Sequence, residues 1–92
     1  MFRGVPNQGA QVSVQALFFA AYRELLGTSS MTVDLPEGAT VGDLVRELRM
    51  RGSPYDALPN EPAVAVNRAY ALHSETLRPG DEVAFIPPVA GG

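Results

Sequence analysis

One strongly amphipathic helix, set among segments of β type, is the feature that most constrains how this chain can fold. In TVGDLVRELRMRG (40–52), Thr40 and Asp43 have the spacing of a capping box, with Asp in place of the usual Glu. Gly52 is placed to end the helix. Four apolar residues form a stripe at helical spacing, namely Val41, Leu44, Val45 and Leu48. One main helix can cover only one face of a sheet, so we expect an α+β arrangement.

Several other segments are rich in β-branched and aromatic residues and predict strands. They are VSVQALFFA (12–20), SMTVDL (30–35), AVAVN (63–67) and EVAFIP (82–87), with a further short strand expected within AYALHSETL (69–77). AYRELLG (21–27) instead has helical spacing, and Gly27 suits a left-handed C-cap. The order β-α-β-α-β-(β)-β predicts a mixed sheet packed against one main helix.

The alternation within the first and last strands predicts apolar side chains on both faces of the sheet. The face toward the helix receives Val14, Ala16, Phe18, Val83 and Phe85. The other face receives Leu17, Phe19 and Ile86, although a sheet with one packed face normally has polar residues there. An exposed apolar patch marks a partner site. The alternative is that the segment 21–27 or the N-terminal residues cover it.

Composition and charge exclude several classes of function. The 92 residues make one domain, and its net charge of −3, with seven basic residues that are all arginine, argues against general nucleic-acid binding. Without cysteine there is no disulfide framework, thiolate zinc site or cysteine nucleophile, which fits the cytoplasm. No apolar run is long enough to span a membrane. The opening residues 1–11 lack the order of a secretory signal and form a polar N-terminal extension.

The chain offers no constellation typical of an active site. His73 is its one histidine, and we expect it to be an ordinary surface residue. Ser74 and Glu75 follow it directly, but adjacent residues on a strand point in opposite directions and cannot form a relay. Clustered metal ligands are missing from the pattern as well, so we expect no metal site.

The C-terminal residues PPVAGG (87–92) are the remaining candidate. Pro87 and Pro88 fix φ and lack an N–H, so they end the sheet and favour a stiff, extended path. Gly91 and Gly92 have no Cβ, so their backbone can pass through a channel too narrow for side chains. Six residues reach at most about 20 Å, which places the terminal carboxylate deep inside another protein. That carboxylate needs activation before it can carry a group.

These segments resemble a known family. LFFAAYRELLG (17–27), LPEGATVGDLVREL (35–48), AVAVNR (63–68) and LRPGDEVAFIPPVAGG (77–92) are similar to the small, sulfur-carrying subunits of molybdopterin synthase. The resemblance implies a ubiquitin-like β-grasp domain at 12–86, with a flexible Gly-Gly tail at 87–92.

The resemblance also implies a function. An ATP-dependent activating enzyme adenylates the carboxylate of Gly92, which is then converted to a thiocarboxylate. The tail enters the large synthase subunit and donates this sulfur to the dithiolene of molybdopterin. The small subunit is not catalytic alone and binds no cofactor itself. Carried over by position, Tyr70 and Ile86 contact the partners, and we predict that Leu17 and Phe19 join them.

Three alternatives stay open. The related sulfur carrier of the thiazole (thiamine) pathway uses the same chemistry with a different acceptor. A ubiquitin-like protein modifier would join Gly92 to lysines of target proteins, although the chain has no lysine with which to form chains on itself. The third alternative is a β-grasp interaction domain whose C-terminal tail carries no chemistry.

Overall fold

In the computed structural model, which describes residues 10–88, five strands form one mixed sheet. They are β1 (Gln11–Phe18), β2 (Ser30–Pro36), β3 (Ala63–Val66), β4 (Ala69–Ala71) and β5 (Glu82–Ile86). Their spatial order is β2-β1-β5-β3-β4, with β1 and β5 parallel and the other neighbours antiparallel. The helices of this part of the chain are α1 (Ala20–Leu26), α2 (Val41–Arg49) and a short 3₁₀ helix (Tyr55–Ala57). The predicted α+β fold with a mixed sheet is confirmed.

Helix α2 begins as its sequence predicts. The backbone N–H of Asp43 donates to Thr40 Oγ1 over 3.2 Å, and the backbone N–H of Thr40 donates to Asp43 Oδ2 over 2.9 Å. This reciprocal pair is the predicted capping box. The next two backbone donors are also satisfied, because Val41 N–H bonds the carbonyl of Glu75 and Gly42 N–H that of His73. The helix therefore anchors the loop that follows β4.

The core lies between α2 and one face of the sheet. Leu44, Leu48, Phe18 and Phe85 are each at most 1% exposed, which confirms the predicted orientation of the helix. The rings of Phe18 and Phe85 come from neighbouring parallel strands, and their centroids lie 5.3 Å apart. The paired aromatic side chains hold the first and last strands together at the end of the sheet from which the C-terminal residues leave.

The chain leaves β1 earlier than the sequence pattern indicates. The strand ends at Phe18 rather than at residue 20, because Phe19 becomes the N-cap of α1 and Ala20 turns the backbone with a φ of +47°. The strand also begins at Gln11, one residue inside the expected N-terminal extension. The left-handed conformation of Ala20 is unfavourable for an alanine. Within residues 10–88, no helix is both long and apolar enough to cross a membrane.

Candidate functional site

The outer face of the sheet, away from α2, has an apolar half and a polar half. In the apolar half, strand register places side chains in one row across the strands: Leu17, Ala84, Ala65 and Tyr70. Ile86 lies opposite Ala63 in the next row, toward the C-terminal tail. We call Leu17, Phe19, Ala63, Tyr70, Ala84 and Ile86 the outer patch. The register thus gathers apolar residues that are as much as 69 positions apart in the sequence.

The polar half lies farther from the tail. Gln15 donates a hydrogen bond to Thr32 across the β1–β2 ladder, with 2.6 Å between Nε2 and Oγ1. Ser13 likewise donates to Asp34. On the other side of β1, Glu82 lies opposite Gln15 in the register of β1 and β5. Polar side chains cover this half, so the apolar surface is confined to the end of the sheet where β5 runs into the tail.

The predicted contact residues lie together at this end, with different exposures. Tyr70 is 79% exposed and Phe19 is 49% exposed, whereas Leu17 and Ile86 are half-buried. Phe19 is not a strand residue, because it caps α1, but it follows Phe18 and so lies near the end of β5. Helix α1 does not bury the patch, since its own buried residues, Tyr22 and Leu26, belong to the main core. The role of these four residues in partner binding stays a prediction.

A groove of about 310 Å³ opens where the tail leaves the sheet. Pro87 and Pro88 line it, together with Tyr70, Ala63 and Tyr22. The half-buried Pro87 and the exposed Pro88 are the last residues of the tail that the structure describes. Gly91 and Gly92, predicted to thread the channel and carry the chemistry, lie outside the described residues. The groove therefore marks the root of the tail, and we call it the tail-root groove.

Tyr22 is one residue of this site that sequence reasoning missed. Its helical spacing predicts a buried position, and it is indeed only 7% exposed. However, it also lines the tail-root groove. Burial raises the pKa of Tyr22, so the hydroxyl stays protonated. Spacing alone cannot distinguish a tyrosine that is only a core residue from one that also lines a groove.

Charged and titratable groups elsewhere have structural roles. The carbonyl oxygen of Pro62 lies 2.7 Å from His73 Nε2, so this half-buried histidine links two loops and is not the free surface residue that the sequence suggested. Hydrogen bonds, first that from the backbone of Thr40, lower the pKa of Asp43. Asp43 also pairs with Arg46 over 2.9 Å at the surface. In the described part of the chain, no three His, Asp or Glu residues form a group suited to a metal ion.

These features define the class of protein. A mixed sheet with parallel first and last strands, folded around one main helix and continuing into a C-terminal tail, is the ubiquitin-like β-grasp architecture. The chain belongs to the ThiS family, whose family model matches residues 16–92.

The proteins similar to this chain include a sulfur carrier subunit and a small archaeal modifier protein. The chain is 39% identical to the molybdopterin synthase sulfur carrier subunit of Mycobacterium tuberculosis, over 88% of this chain and 99% of the relative. The crystal structure of SAMP1, a small archaeal modifier protein of Haloferax volcanii, matches with a TM-score of 0.68 and 32% identity, over 87% of this chain and 99% of that one. A chain from the complex of subunits 1 and 2 of the Helicobacter pylori molybdopterin-converting factor shares the fold, with a TM-score of 0.62 and 20% identity, over 88% of this chain and 100% of that one.

Proposed function

We propose that this chain is the sulfur carrier of a molybdopterin synthase and that the C-terminal carboxylate of Gly92 carries the sulfur. The observation that carries the proposal is the placement of the outer patch and the tail root at the same end of the sheet. A protein that docks on the patch is thereby positioned to receive the tail. The M. tuberculosis relative, which is named as a sulfur carrier subunit and is aligned over nearly its whole length, supports the assignment.

The chemistry begins with a carboxylate that is too poor an electrophile to react unaided. An activating enzyme joins the Gly92 carboxylate to the α-phosphate of ATP, releasing pyrophosphate and leaving an acyl-adenylate. A sulfur nucleophile then attacks the carbonyl carbon, a C–S bond forms, and the C–O bond to AMP breaks. If the nucleophile is sulfide, the products are the thiocarboxylate and AMP; if it is a persulfide, an acyl disulfide forms first, and a thiol then attacks its S–S bond, which leaves the thiocarboxylate and a disulfide between the thiol and the donor. The ATP belongs to the activating enzyme, and this chain holds no cofactor of its own.

The fold supplies delivery rather than catalysis. Residues 87–92 extend at most about 20 Å beyond β5, so the reacting group works inside the partner while the domain stays outside. The large synthase subunit supplies the active site in which the thiocarboxylate gives its sulfur to the dithiolene. The lack of side chains at Gly91 and Gly92 suits a channel that admits only backbone.

An intact-mass measurement tests the assignment. The untagged chain is incubated with its activating enzyme, ATP and a sulfur donor, and we expect one oxygen to be replaced by sulfur in the C-terminal peptide. A chain without Gly92 and a chain extended by one residue are the matched controls. Both changes displace the reactive group, the extension by about 3.5 Å. We therefore expect that neither control both acquires sulfur and supports molybdopterin formation. An extended chain that still does both contradicts the proposal.

The second candidate is a protein modifier, and the match to SAMP1 is the observation that favours it. In that case the activated Gly92 carbonyl is attacked by a lysine amine of a target protein, and an isopeptide bond forms. Isopeptide bonds from Gly92 to target lysines, detected as the C-terminal peptide of this chain attached to the lysine, would support this function if no sulfur is transferred to the pterin precursor. Sulfur transfer to a thiazole precursor would instead identify the thiazole-pathway alternative.

A further inference from the structure

A second groove lies on the helix side of the sheet, beside the end of β2. Its volume is about 440 Å³, and it is formed by the last residues of β2, the turn after them and one face of α2. We call it the helix-side groove. Leu35 and Ala39, which are almost fully buried, form its floor, whereas Met50, at its rim, is 76% exposed. The core therefore leaves an apolar surface uncovered at this place.

The lining of the helix-side groove has a net negative charge. Three residues with carboxylates, Glu37, Asp43 and Glu47, line it together with one arginine, Arg46. Asp43 and Arg46 form a salt bridge with each other over 2.9 Å, so the charge that remains is that of the two exposed glutamates. An occupant that combines an apolar side chain with a positive charge complements this groove.

The N-terminal segment 1–9 leaves the sheet at the edge of the helix-side groove. The carbonyl of Ala10 accepts a hydrogen bond from the backbone N–H of Glu37 over 3.1 Å, one residue beyond the β1–β2 ladder. The ladder ends there, because Gly38 has a φ of +90° and the chain turns toward α2. Glu37 is thus both a residue of the groove and the point at which the segment is tethered.

The composition of this segment, MFRGVPNQG, complements the groove. It contains Arg3 and no acidic residue, and the large apolar residue Phe2 directly precedes Arg3. Adjacent side chains of an extended chain point to opposite sides, so Phe2 can face an apolar floor while Arg3 faces an acidic rim. The chain from Phe2 to Ala10 spans at most about 29 Å, whereas the groove extends about 10 Å along α2. The tether also keeps the segment at a local concentration in the millimolar range.

We propose that residues 1–9 dock in the helix-side groove of their own chain, with Phe2 on its apolar floor and Arg3 at its acidic rim. The segment precedes β1 and the tail follows β5, and these strands are parallel, so the two start from opposite ends of the sheet. Docking on the helix side therefore leaves the outer patch and the tail free for a partner. The inference is independent of the proposed function.

Nuclear magnetic resonance of the whole chain tests the contact directly. We expect nuclear Overhauser effects between the ring of Phe2 and the methyl groups of Ala39 and Met50. Phe2→Ala should shift the amide resonances of Ala39 and Met50 and lower the ratio of docked to undocked chain about tenfold, because most of the apolar contact is lost. Phe2→Leu is the matched control: it keeps a large apolar side chain and should retain most of the docking.

An exchange of charges tests the position of Arg3. Arg3→Glu and Glu47→Arg should each lower the ratio of docked to undocked chain by about 1.4- to 5-fold, the range for an exposed ion pair, and the double variant should recover part of the loss. Glu24→Arg makes the same change at an exposed position of α1, outside the groove, and should leave the ratio unchanged. If neither single variant weakens docking, the assignment of Arg3 to the rim is wrong.

Two results would overturn the inference and leave the proposed function standing. The first is the absence of the Phe2 contacts, together with groove resonances that Phe2→Ala does not shift. The second is docking that strengthens with protein concentration and is accompanied by a dimer in analytical ultracentrifugation. In that case the groove holds the segment of a second copy and not that of its own chain.

Discussion

Replacing Ile86 by aspartate separates the surface role of the outer patch from the folding role of the core. Ile86 lies half-buried on β5, opposite Ala63, and the residue before it, Phe85, is fully buried on the other face. Phe85→Asp is the matched control, because it places the same charge one position away on the core side. The two variants differ only in the face of the strand that receives the carboxylate.

The expected losses of stability differ severalfold. Full burial of an isoleucine contributes roughly 1.5–3 kcal/mol, so a half-buried one loses about 1 kcal/mol on becoming polar. For a domain of this size that lowers the melting temperature by about 4–8 °C. Phe85→Asp loses a whole aromatic side chain and places an unpaired charge beside Phe18, at a cost above about 4 kcal/mol. Since domains are stable by only about 5–15 kcal/mol, we expect this control to be largely unfolded.

Ile86→Asp should reduce the affinity for the large subunit more strongly than it reduces the stability of the domain. A central apolar anchor that becomes a buried, unpaired charge costs at least about 2 kcal/mol, which is about 30-fold in affinity. Urea and thermal melts followed by circular dichroism give the stabilities, and calorimetry with the large subunit gives the affinity. If Ile86→Asp unfolds the domain as completely as Phe85→Asp, the outer face is part of the core. If affinity is unchanged, the patch lies outside the interface.

Three further predictions concern the fold. Leu44→Ala should cost about 2–5 kcal/mol in urea melts because Leu44 is fully buried, whereas the same change at Leu72, which is 71% exposed, should cost less than about 0.5 kcal/mol; equal costs would contradict the core assignment. The pKa of Asp43 is lowered by its bonds to Thr40 and Arg46, so its contribution is present above the unfolded-state value of about 3.8 and is lost as pH falls through the folded-state value. Melts between pH 5 and pH 2 should therefore show a smaller acid loss for Asp43→Asn than for the unmodified chain, and identical losses would contradict this coupling. Ala20→Gly should raise stability by up to about 1 kcal/mol in thermal melts, because Ala20 has a φ of +47°; a lower melting temperature would show that the alanine side chain contributes more than the strain costs.

Some features of this protein follow from interactions between residues close together in the chain. The capping box joins Thr40 to Asp43, three positions away, and the apolar stripe of α2 repeats every three or four residues. Gly27 ends α1 in the left-handed conformation that glycine favours. Such contacts are made within one or two turns of chain, so residue types and spacing were sufficient to predict where both helices lie and the buried face of β1 and β5. The predicted end of α2 at Gly52 was wrong, because the helix ends at Arg49 with Met50 as its C-cap.

The assembly of the candidate site required contacts that spacing does not encode. Leu17 meets Ala84, and Ala65 meets Tyr70, only because β5 lies between β1 and β3 in the sheet. The end of β1 likewise depends on the tertiary structure. Phe19 continues the apolar alternation of the strand, yet it is the N-cap of α1.

The sequence by itself determined the fold class, the single main helix and the opposite faces of the first and last strands. Only the tertiary structure decided that the apolar residues form one patch at the tail's end of the sheet and that Tyr22 is at once a core residue and part of the tail-root groove. The physical reason is the range of the interactions. Helix caps and periodicity act between neighbours in the chain, whereas strand order and the shape of a groove depend on packing between segments that are distant in sequence.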